Sequence, residues 1–148
     1  DMNKIARFID FLHKRFPEKP VFQTSSKASH LVASNTTIYP LDEIERSVFG
    51  FCGIANPQRF RRTILSLPTH LAGFKTFSDH HRYTERELMS IEENAMKAGA
   101  ESLLTTEKDL VKLSEWKCSL PIYAIRMEVH SEQCFDDFIL NTIREISH

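Results

Sequence analysis

The residues of this chain best suited to chemistry are Asp79, His80 and His81, which follow an apolar segment and precede a helical pattern. An aspartate can hold and polarise a neighbouring imidazole, and histidine is the side chain whose unperturbed pKa lies closest to neutrality. Three interpretations are open: a solvated polar turn before a helix, an acid–base or charge-tuning site, and a metal site. Asp and His are competent metal ligands. Adjacent residues of one turn seldom point at a single ion, however, so a metal site would need further carboxylates from elsewhere.

Two further turns carry residues that could bind an anion. Gly53 to Asn56 precede Pro57, and an asparagine followed by proline is typical of a helix N-terminus, whose unpaired amides favour negative charge. The turn at residues 105–109 offers two hydroxyls and an ammonium group, which suit a phosphorylated ligand. Each turn also has a structural explanation, as a helix cap or as acids that complement a helix dipole. The candidates for residues near a substrate or nucleotide are Asn56, Thr105, Thr106, Glu107, Lys108 and His81.

The elements that position these turns alternate between strand and helix. Residues 48–54 are a near-continuous apolar run of strand length, as a buried parallel strand requires. Further strands are predicted at residues 71–77, 102–105 and 121–125, with helices beginning at Asn56–Pro57, at a Thr84–Glu87 capping box and at Glu107. The alternation predicts an α/β fold with three layers: a mainly parallel, Rossmann-like sheet with helices on both faces. Ligands bind at the carboxyl ends of such strands, so the turns at residues 53–56, 78–84 and 105–109 should converge there.

The N-terminal part has a different pattern. Residues 1–47 are predicted to be an N-terminal helix with a connector that includes linker strands, and residues 48–148 a C-terminal α/β lobe. In chain order, the first part should contain a helix over residues 4–16, a short strand at Val21–Gln23, a loop or extended connector over residues 24–35, and a link over residues 36–47. Apolar residues at helical spacing also predict a C-terminal helix over residues 135–146. Four aromatic residues of these two helices are expected in the core: Phe8, Phe11, Phe135 and Phe138.

The composition is that of a globular protein, with 41% hydrophobic and 26% charged residues. A formal net charge of -1 gives no general attraction to nucleic acid, so no nucleic-acid partner is expected. Cys52, Cys118 and Cys134 are widely spaced, which indicates reduced thiols and neither a disulfide framework nor a zinc site. No apolar run reaches the roughly 18 residues needed to span a bilayer, and the chain is expected to be soluble. Asp1 before Met2 indicates a piece of a longer protein.

Three segments resemble the motifs of a known family, in the same order. They read FCGIANPQRF at residues 51–60, FSDHHRYT at residues 77–84 and LTTEKDLVKL at residues 104–113. The family patterns are F-x-G-I-x-N-P-x-x-F, D-H-H-x-[YF]-[ST] and T-E-K-D-x-V-K, and the family is tetraacyldisaccharide 4'-kinase, the lipid A 4'-kinase of Gram-negative-type envelopes. The resemblance covers at least residues 48–125, and residues 1–47 are similar to the region that follows the family's nucleotide-binding half. It implies that this chain is the C-terminal lobe only.

The resemblance implies an enzyme of two α/β lobes, joined by a small β linker, at the cytoplasmic face of the bacterial inner membrane. Such an enzyme transfers the γ-phosphate of Mg-ATP to the 4'-hydroxyl of an acylated glucosamine disaccharide 1-phosphate. The family's Asp-His pair falls on Asp79 and His80, which implies that they assist a carboxylate base from the first lobe. The implied partners are that P-loop lobe and the acylated disaccharide lipid. Because this chain lacks a G-x-x-x-x-G-K-[ST] loop, ATP and Mg²⁺ should be held mainly by the other lobe, and the chain alone should be inactive.

Two other functions compete with a kinase lobe. Asp-His-His is also the signature of a family of metal-dependent phosphoesterases, but two-metal chemistry needs further Asp and His ligands. The sequence offers neither a D-x-D on an earlier strand nor a suitable H-x-x-x-D. The other alternative is a non-enzymatic module that binds a partner domain or a nucleotide. It overlaps with the isolated lobe, since a lobe without its other half exposes a binding face.

Overall fold

Strands and helices alternate along the chain in the computed structural model, which describes residues 2–146. The helices are α1 (Met2–Arg15), α2 (Pro57–Leu65), α3 (Glu85–Lys97), α4 (Glu107–Leu110) and α5 (Gln133–Ile146). The strands are β1 (Thr24–Ala33), β2 (Ile38–Pro40), β3 (Ser47–Cys52), β4 (His70–Thr76), β5 (Ser102–Thr106) and β6 (Ile122–Ser131). Short 3₁₀ helices lie at Leu41–Glu43 and Val111–Leu113. The predicted helix starts at Asn56–Pro57 and at the Thr84–Glu87 capping box are confirmed.

The sheet has the strand order β2-β1-β6-β5-β3-β4 among the residues that the structure describes. β3 pairs in parallel with β4 and with β5, and β5 pairs in parallel with β6. β1 pairs with β2 in the antiparallel direction. The prediction of a mainly parallel sheet is therefore confirmed. Parallel strands bring their carboxyl ends to one edge, which is the edge where β3, β4 and β5 continue into the three candidate turns.

Helices cover both faces of the sheet, as predicted. Along β3, Phe49 and Phe51 belong to one apolar cluster, and Val48 and Cys52 to another on the opposite face. The first cluster also contains three residues of α3, Leu88, Ile91 and Ala95. The second contains two residues of α2, Phe60 and Ile64. Because both faces of β3 are buried, its sequence is apolar at every position after Ser47, which is why a continuous apolar run identified it.

The chain divides into two compact units, Ala28–Glu128 and the combination of Asp1–Lys27 with Val129–His148. The expected boundary between residues 47 and 48 lies inside the larger unit. The larger unit begins before residue 48 because it includes the buried part of β1. There Leu31 is 1% and Val32 5% exposed, and each belongs to one of the two apolar clusters. The second half of this strand is thus part of the sheet core and not of a connector.

The strand of the N-terminal part lies elsewhere than predicted. Val21–Gln23 is not a strand, and residues 24–33, expected to be a loop or extended connector, form β1. Hydroxyl side chains gave this segment no apolar alternation, and most of its first residues are exposed or half-buried. Its strand conformation is instead set by its place in the sheet between β2 and β6, with Leu31 opposite Tyr39 and Val32 opposite Ile38 of β2. A strand held in this way has no apolar period for sequence reasoning to find.

The smaller unit leaves much of its apolar surface exposed. On α1, Phe8 is 60% and Phe11 57% exposed, and their rings stack with centroids 6.4 Å apart. On α5, Phe138 is 40% exposed, although its ring and that of Phe135 each lie 5.2 Å from the ring of Phe22. The expectation of a core position is wrong for Phe8, Phe11 and Phe138, because each of these side chains is 40% or more exposed. Of the helices within residues 2–146, none is both long and apolar enough to cross a membrane.

The pairing of β3 with β4, in which Phe49 lies opposite Gly73, allows a test of the core. A Cβ atom at Gly73 would overlap the ring of Phe49, so this position has room for hydrogen only. We expect Gly73→Ala to lower the free energy of unfolding by about 1–3 kcal/mol, the usual cost of overpacking a filled core. Urea denaturation measures this cost. In the double variant with Phe49→Leu the ring is absent, so its loss of stability should be smaller than the sum of the losses in the two single variants. Strictly additive costs would contradict the clash.

Candidate functional site

The three candidate turns meet at the carboxyl edge of the sheet, around Gly53. The N–H of Gly53 donates to Oδ2 of Asp109 at 2.9 Å, which joins the first turn to the third. The carbonyl of Gly53 accepts from the N–H of His80 at 3.1 Å, which joins the first turn to the second. A Cβ at Gly53 would lie 3.0 Å from Cβ of His81 and 3.1 Å from the carbonyl oxygen of Ser78, so this close approach favours glycine. The predicted convergence of the turns is confirmed.

Asp109 is the functional-site residue whose importance sequence reasoning missed. Its side chain is fully buried, and its two oxygens accept from three donors. Oδ2 accepts from the Gly53 amide and from the Thr106 hydroxyl, the latter at 2.9 Å, and Oδ1 accepts from Nζ of Lys112 at 2.9 Å. Thr106 in turn accepts from the Asp109 amide at 3.2 Å, as the N-cap of α4. A first-turn acid explained only by the helix dipole would be exposed, whereas this one links two turns.

The negative charge of Asp109 affects the groups around it. Burial raises the pKa of the Cys52 thiol to about 11, and the charge of Asp109 contributes to this rise. Burial also raises the pKa of the Tyr83 hydroxyl, again with a contribution from Asp109. The hydroxyl oxygen of Tyr83 is buried beside Asp109, and its ring packs edge-on against Phe51. Neither group is therefore available as a nucleophile or base near neutral pH.

His80 projects outward from this buried base. Its side chain is 85% exposed, and its backbone has φ +57, in the left-handed region. The N–H of His80 is held by the carbonyl of Gly53 and by Oδ1 of Asp79, each at 3.1 Å. Nε2 of His80 lies 3.8 Å from Oδ2 of Asp79, which is ion-pair distance when the imidazole is protonated. The arrangement presents an imidazole with an adjacent carboxylate to whatever approaches this edge.

The side chain of His81 points toward the start of α3 and contacts other residues of the chain. Nε2 lies 3.0 Å from Oε2 of Glu87, and Nδ1 lies 3.5 Å from Oγ of Ser78. The ring stacks on Phe77 with centroids 4.7 Å apart, and the side chain is 22% exposed. Glu87 also closes the capping box of α3 with Thr84. The two adjacent histidines thus face different surroundings, one solvent and the other the start of α3.

Most of the other candidates already have partners within the chain. The side chain of Asn56 caps α2 by accepting from the Arg59 amide at 3.0 Å. Glu107 accepts from Nε and Nη2 of Arg126 at 3.0 and 2.8 Å. Thr105 is fully buried, with no hydrogen-bond partner for its hydroxyl among the described residues. Thr106 is engaged with Asp109, and Lys108 is exposed. The edge therefore brings these residues together, but of this group only Lys108 extends freely toward solvent.

The described part of the chain contains no cluster of side chains that could bind a metal ion. Within residues 2–146, no group of three or more His, Cys, Asp or Glu side chains could hold a metal ion. Asp79 and His80 are adjacent in space, but His81 is turned toward Glu87 and away from them. The arrangement is suited to proton transfer or charge stabilisation at an exposed imidazole.

The Glu87 network generates a pH-dependence prediction. Hydrogen bonds from Thr84 and His81 hold the pKa of Glu87 at about 2, below its usual 4.5. A lowered folded-state pKa contributes stability that is fully present above about pH 4.5 and is lost as the pH falls toward 2. We expect Glu87→Gln, which keeps an acceptor but removes the charge, to lower the urea midpoint at pH 7. The difference from the parent chain should shrink as the pH falls through this range, and a pH-independent difference would contradict the account.

Comparison with known proteins gives a consistent result. The sequence profile of one family, described as Tetraacyldisaccharide-1-P 4'-kinase, matches residues 5–144. The chain is 42% identical over 99 residues to the tetraacyldisaccharide 4'-kinase of Desulfotalea psychrophila, covering 67% of this chain and 28% of that protein. It is 37% identical over 101 residues to the enzyme of the same name from Syntrophus aciditrophicus, covering 66% of this chain and 27% of that protein. The chain thus spans little more than a quarter of the length of these curated relatives.

A solved structure agrees with the sequence matches. The crystal structure of LpxK from Aquifex aeolicus in complex with ATP superimposes with a TM-score of 0.63 and 26% sequence identity. The superposition covers 90% of this chain and 38% of that one. The three motif segments at residues 51–60, 77–84 and 104–113 all lie inside the profile match. The chain belongs to the tetraacyldisaccharide-1-P 4'-kinase family.

Proposed function

We propose that this chain is the C-terminal part of an ATP-dependent lipid kinase. The kinase phosphorylates the 4'-hydroxyl of tetraacyldisaccharide 1-phosphate in lipid A biosynthesis, at the cytoplasmic face of the bacterial inner membrane. The observation that carries the proposal is the Asp79–His80 turn, held at the carboxyl edge of the sheet within a chain whose residues 5–144 match the family. The 148 residues alone supply only part of the active site and are inactive.

His80 is proposed to orient and tune a carboxylate base supplied by the rest of the enzyme. Phosphoryl transfer depends mainly on positioning and on stabilising charge, so a hydrogen bond from an imidazole to the base can fix its direction and its pKa. The 85% exposure of the His80 side chain supports this role, because the group must reach a base outside this chain. Oδ2 of Asp79 lies 3.8 Å from Nε2 of His80, so a carboxylate stands beside the imidazole at this edge. His81, engaged with Glu87, has no free ring nitrogen for the same task.

ATP and Mg²⁺ are proposed to bind mainly outside this chain. The relevant side chains here do not fit a nucleotide site: Asn56, Thr106 and Glu107 are committed to Arg59, Asp109 and Arg126. Residues 2–146 also lack a cluster of three metal ligands, and the sequence contains no phosphate-binding G-x-x-x-x-G-K-[ST] loop. Mg-ATP would supply the phosphoryl group to be transferred. From this chain, Lys108 is an exposed cation in the third turn of this edge and could face a phosphate.

The partner of this chain is proposed to be the remaining lobe of the same enzyme. The chain covers 28% of one relative and 38% of the ATP-bound LpxK chain, so most of a family member lies outside the matched region. The exposed aromatic face of α1, with Phe8 and Phe11, is an apolar surface of the kind that an intramolecular interface covers. The acylated disaccharide lipid is the proposed substrate of the assembled enzyme. The metal-dependent phosphoesterase alternative has no comparable support, because it needs ligands that the described residues do not bring together.

The role of His80 can be tested in the full-length enzyme that contains this chain. We expect His80→Ala to lower the 4'-kinase rate at least about tenfold, the lower end of what acid–base groups contribute. Because φ at His80 is +57, His80→Asn is the better second variant, since asparagine tolerates this conformation and also lacks an imidazole. Initial rates with Mg-ATP and the tetraacyldisaccharide 1-phosphate measure the effect.

The matched control is His70→Ala, which removes an exposed histidine at the amino end of β4, on the opposite edge of the sheet. It should retain the parental rate, and all variants should retain the parental unfolding midpoint. Near-parental turnover in both His80 variants would remove this residue from the mechanism.

A further inference from the structure

We propose that Asp109 is a positioning residue for the Asp79–His80 turn. It holds the amide of Gly53, and Gly53 in turn holds His80 in the left-handed conformation that directs its imidazole out of the edge. The proposal rests on the proposed role of His80, and it adds a buried residue from a different turn to the machinery. Asp109 touches no substrate in this account and acts only through His80.

The connection runs through one residue, Gly53. Its N–H donates to Oδ2 of Asp109 at 2.9 Å, and its carbonyl accepts from the N–H of His80 at 3.1 Å. Hydrogen bonds to an ionised acceptor are shorter and about twice as strong as neutral ones, so the carboxylate holds this amide firmly. A displacement of Gly53 would move the acceptor on which the His80 backbone depends.

His80 needs such support because its backbone conformation is unfavourable. A φ of +57 is uncommon for any residue other than glycine, although histidine adopts it more often than most, and it persists where the surroundings determine it. The local sequence supplies one hydrogen bond, from the His80 amide to Oδ1 of Asp79. The bond to Gly53 is the one that connects the turn to the sheet edge. Without it the turn could relax to an ordinary right-handed or extended form, and the imidazole would point elsewhere.

Lys112 sets which oxygen of Asp109 is available. Its ammonium group lies 2.9 Å from Oδ1, so it satisfies that oxygen and balances its charge, and the Lys112 side chain is 28% exposed. Oδ2 is then left for Gly53 and Thr106. Three residues of the T-E-K-D-x-V-K motif therefore form one network: Thr106 is the helix cap, Asp109 the carboxylate and Lys112 its counter-ion.

The first test uses the 148-residue chain and nuclear magnetic resonance. In Asp109→Asn, we expect hydrogen exchange at the amides of Gly53 and His80 to accelerate at least about tenfold, since a charged acceptor is replaced by a weaker one. The backbone coupling constant of His80 should shift away from its left-handed value. The control is Glu92→Gln, because Glu92 also accepts a backbone amide, that of Ser119 at 2.8 Å, at another place. It should leave both amides unchanged.

Lys112→Gln provides a second variant in case Asp109→Asn does not fold. It keeps a side-chain donor and leaves the carboxylate in place, so it should change the His80 amide in the same direction by a smaller factor. Unchanged exchange and coupling at His80 in the folded variants would overturn the proposal, whatever the fate of the kinase assignment.

The second test separates positioning from general stability in the full-length enzyme. Asp109→Asn should lower kcat with little change in KM, and it should slow an enzyme that already carries His80→Asn by less than twofold. An equal slowing in both backgrounds would show that Asp109 acts by another route and would overturn the proposal. If instead the His80 amide responds to Asp109→Asn but neither His80 nor Asp109 variants lose activity, positioning holds while the proposed function fails.

Discussion

A carboxylate without exposed surface has to be compensated by donors, and Asp109 is compensated by Lys112, Thr106 and the amide of Gly53. Removing one partner of a buried charge pair typically costs about 3–5 kcal/mol, whereas replacing the whole pair by apolar residues is often neutral or stabilising. The network is therefore a poor way to gain stability and an effective way to fix geometry. It ties the ends of β3 and β5 together, and the turn after β4 depends on that junction through Gly53.

This junction explains why adjacent imidazoles have different surroundings. His81 is packed between Phe77 and Glu87, where it belongs to the start of α3. His80, one residue earlier, has a positive φ in the turn at residues 79–80, and its side chain is in solvent. The turn is thus anchored by one histidine and presents the other. An exposed imidazole on a fixed backbone is the form of contribution that one lobe can make to an active site completed by another.

The sequence predicted the sheet better than the site. β3 was recognisable because both of its faces are buried, and the Thr84–Glu87 box because capping is local chemistry. β1 was missed because backbone pairing and only two buried residues, Leu31 and Val32, define it. The sequence could not say which histidine faces outward, since that depends on a hydrogen bond from His80 to Gly53, which is distant in the sequence. The burial of Asp109 had a signal, a threonine cap followed by a lysine three residues on, but the dipole explanation was sufficient without it.

The measurement that tests the central claim most directly is a titration of the 148-residue chain with Mn²⁺ and then with Mg-ATP, followed by nuclear magnetic resonance of the histidine imidazoles. If the chain carries an exposed half-site and no metal centre of its own, micromolar Mn²⁺ should broaden no histidine selectively. Mg-ATP should then bind weakly or not at all. Selective broadening of His80 and His81 at micromolar Mn²⁺ would contradict the account, because it would identify an autonomous metal site of the phosphoesterase kind.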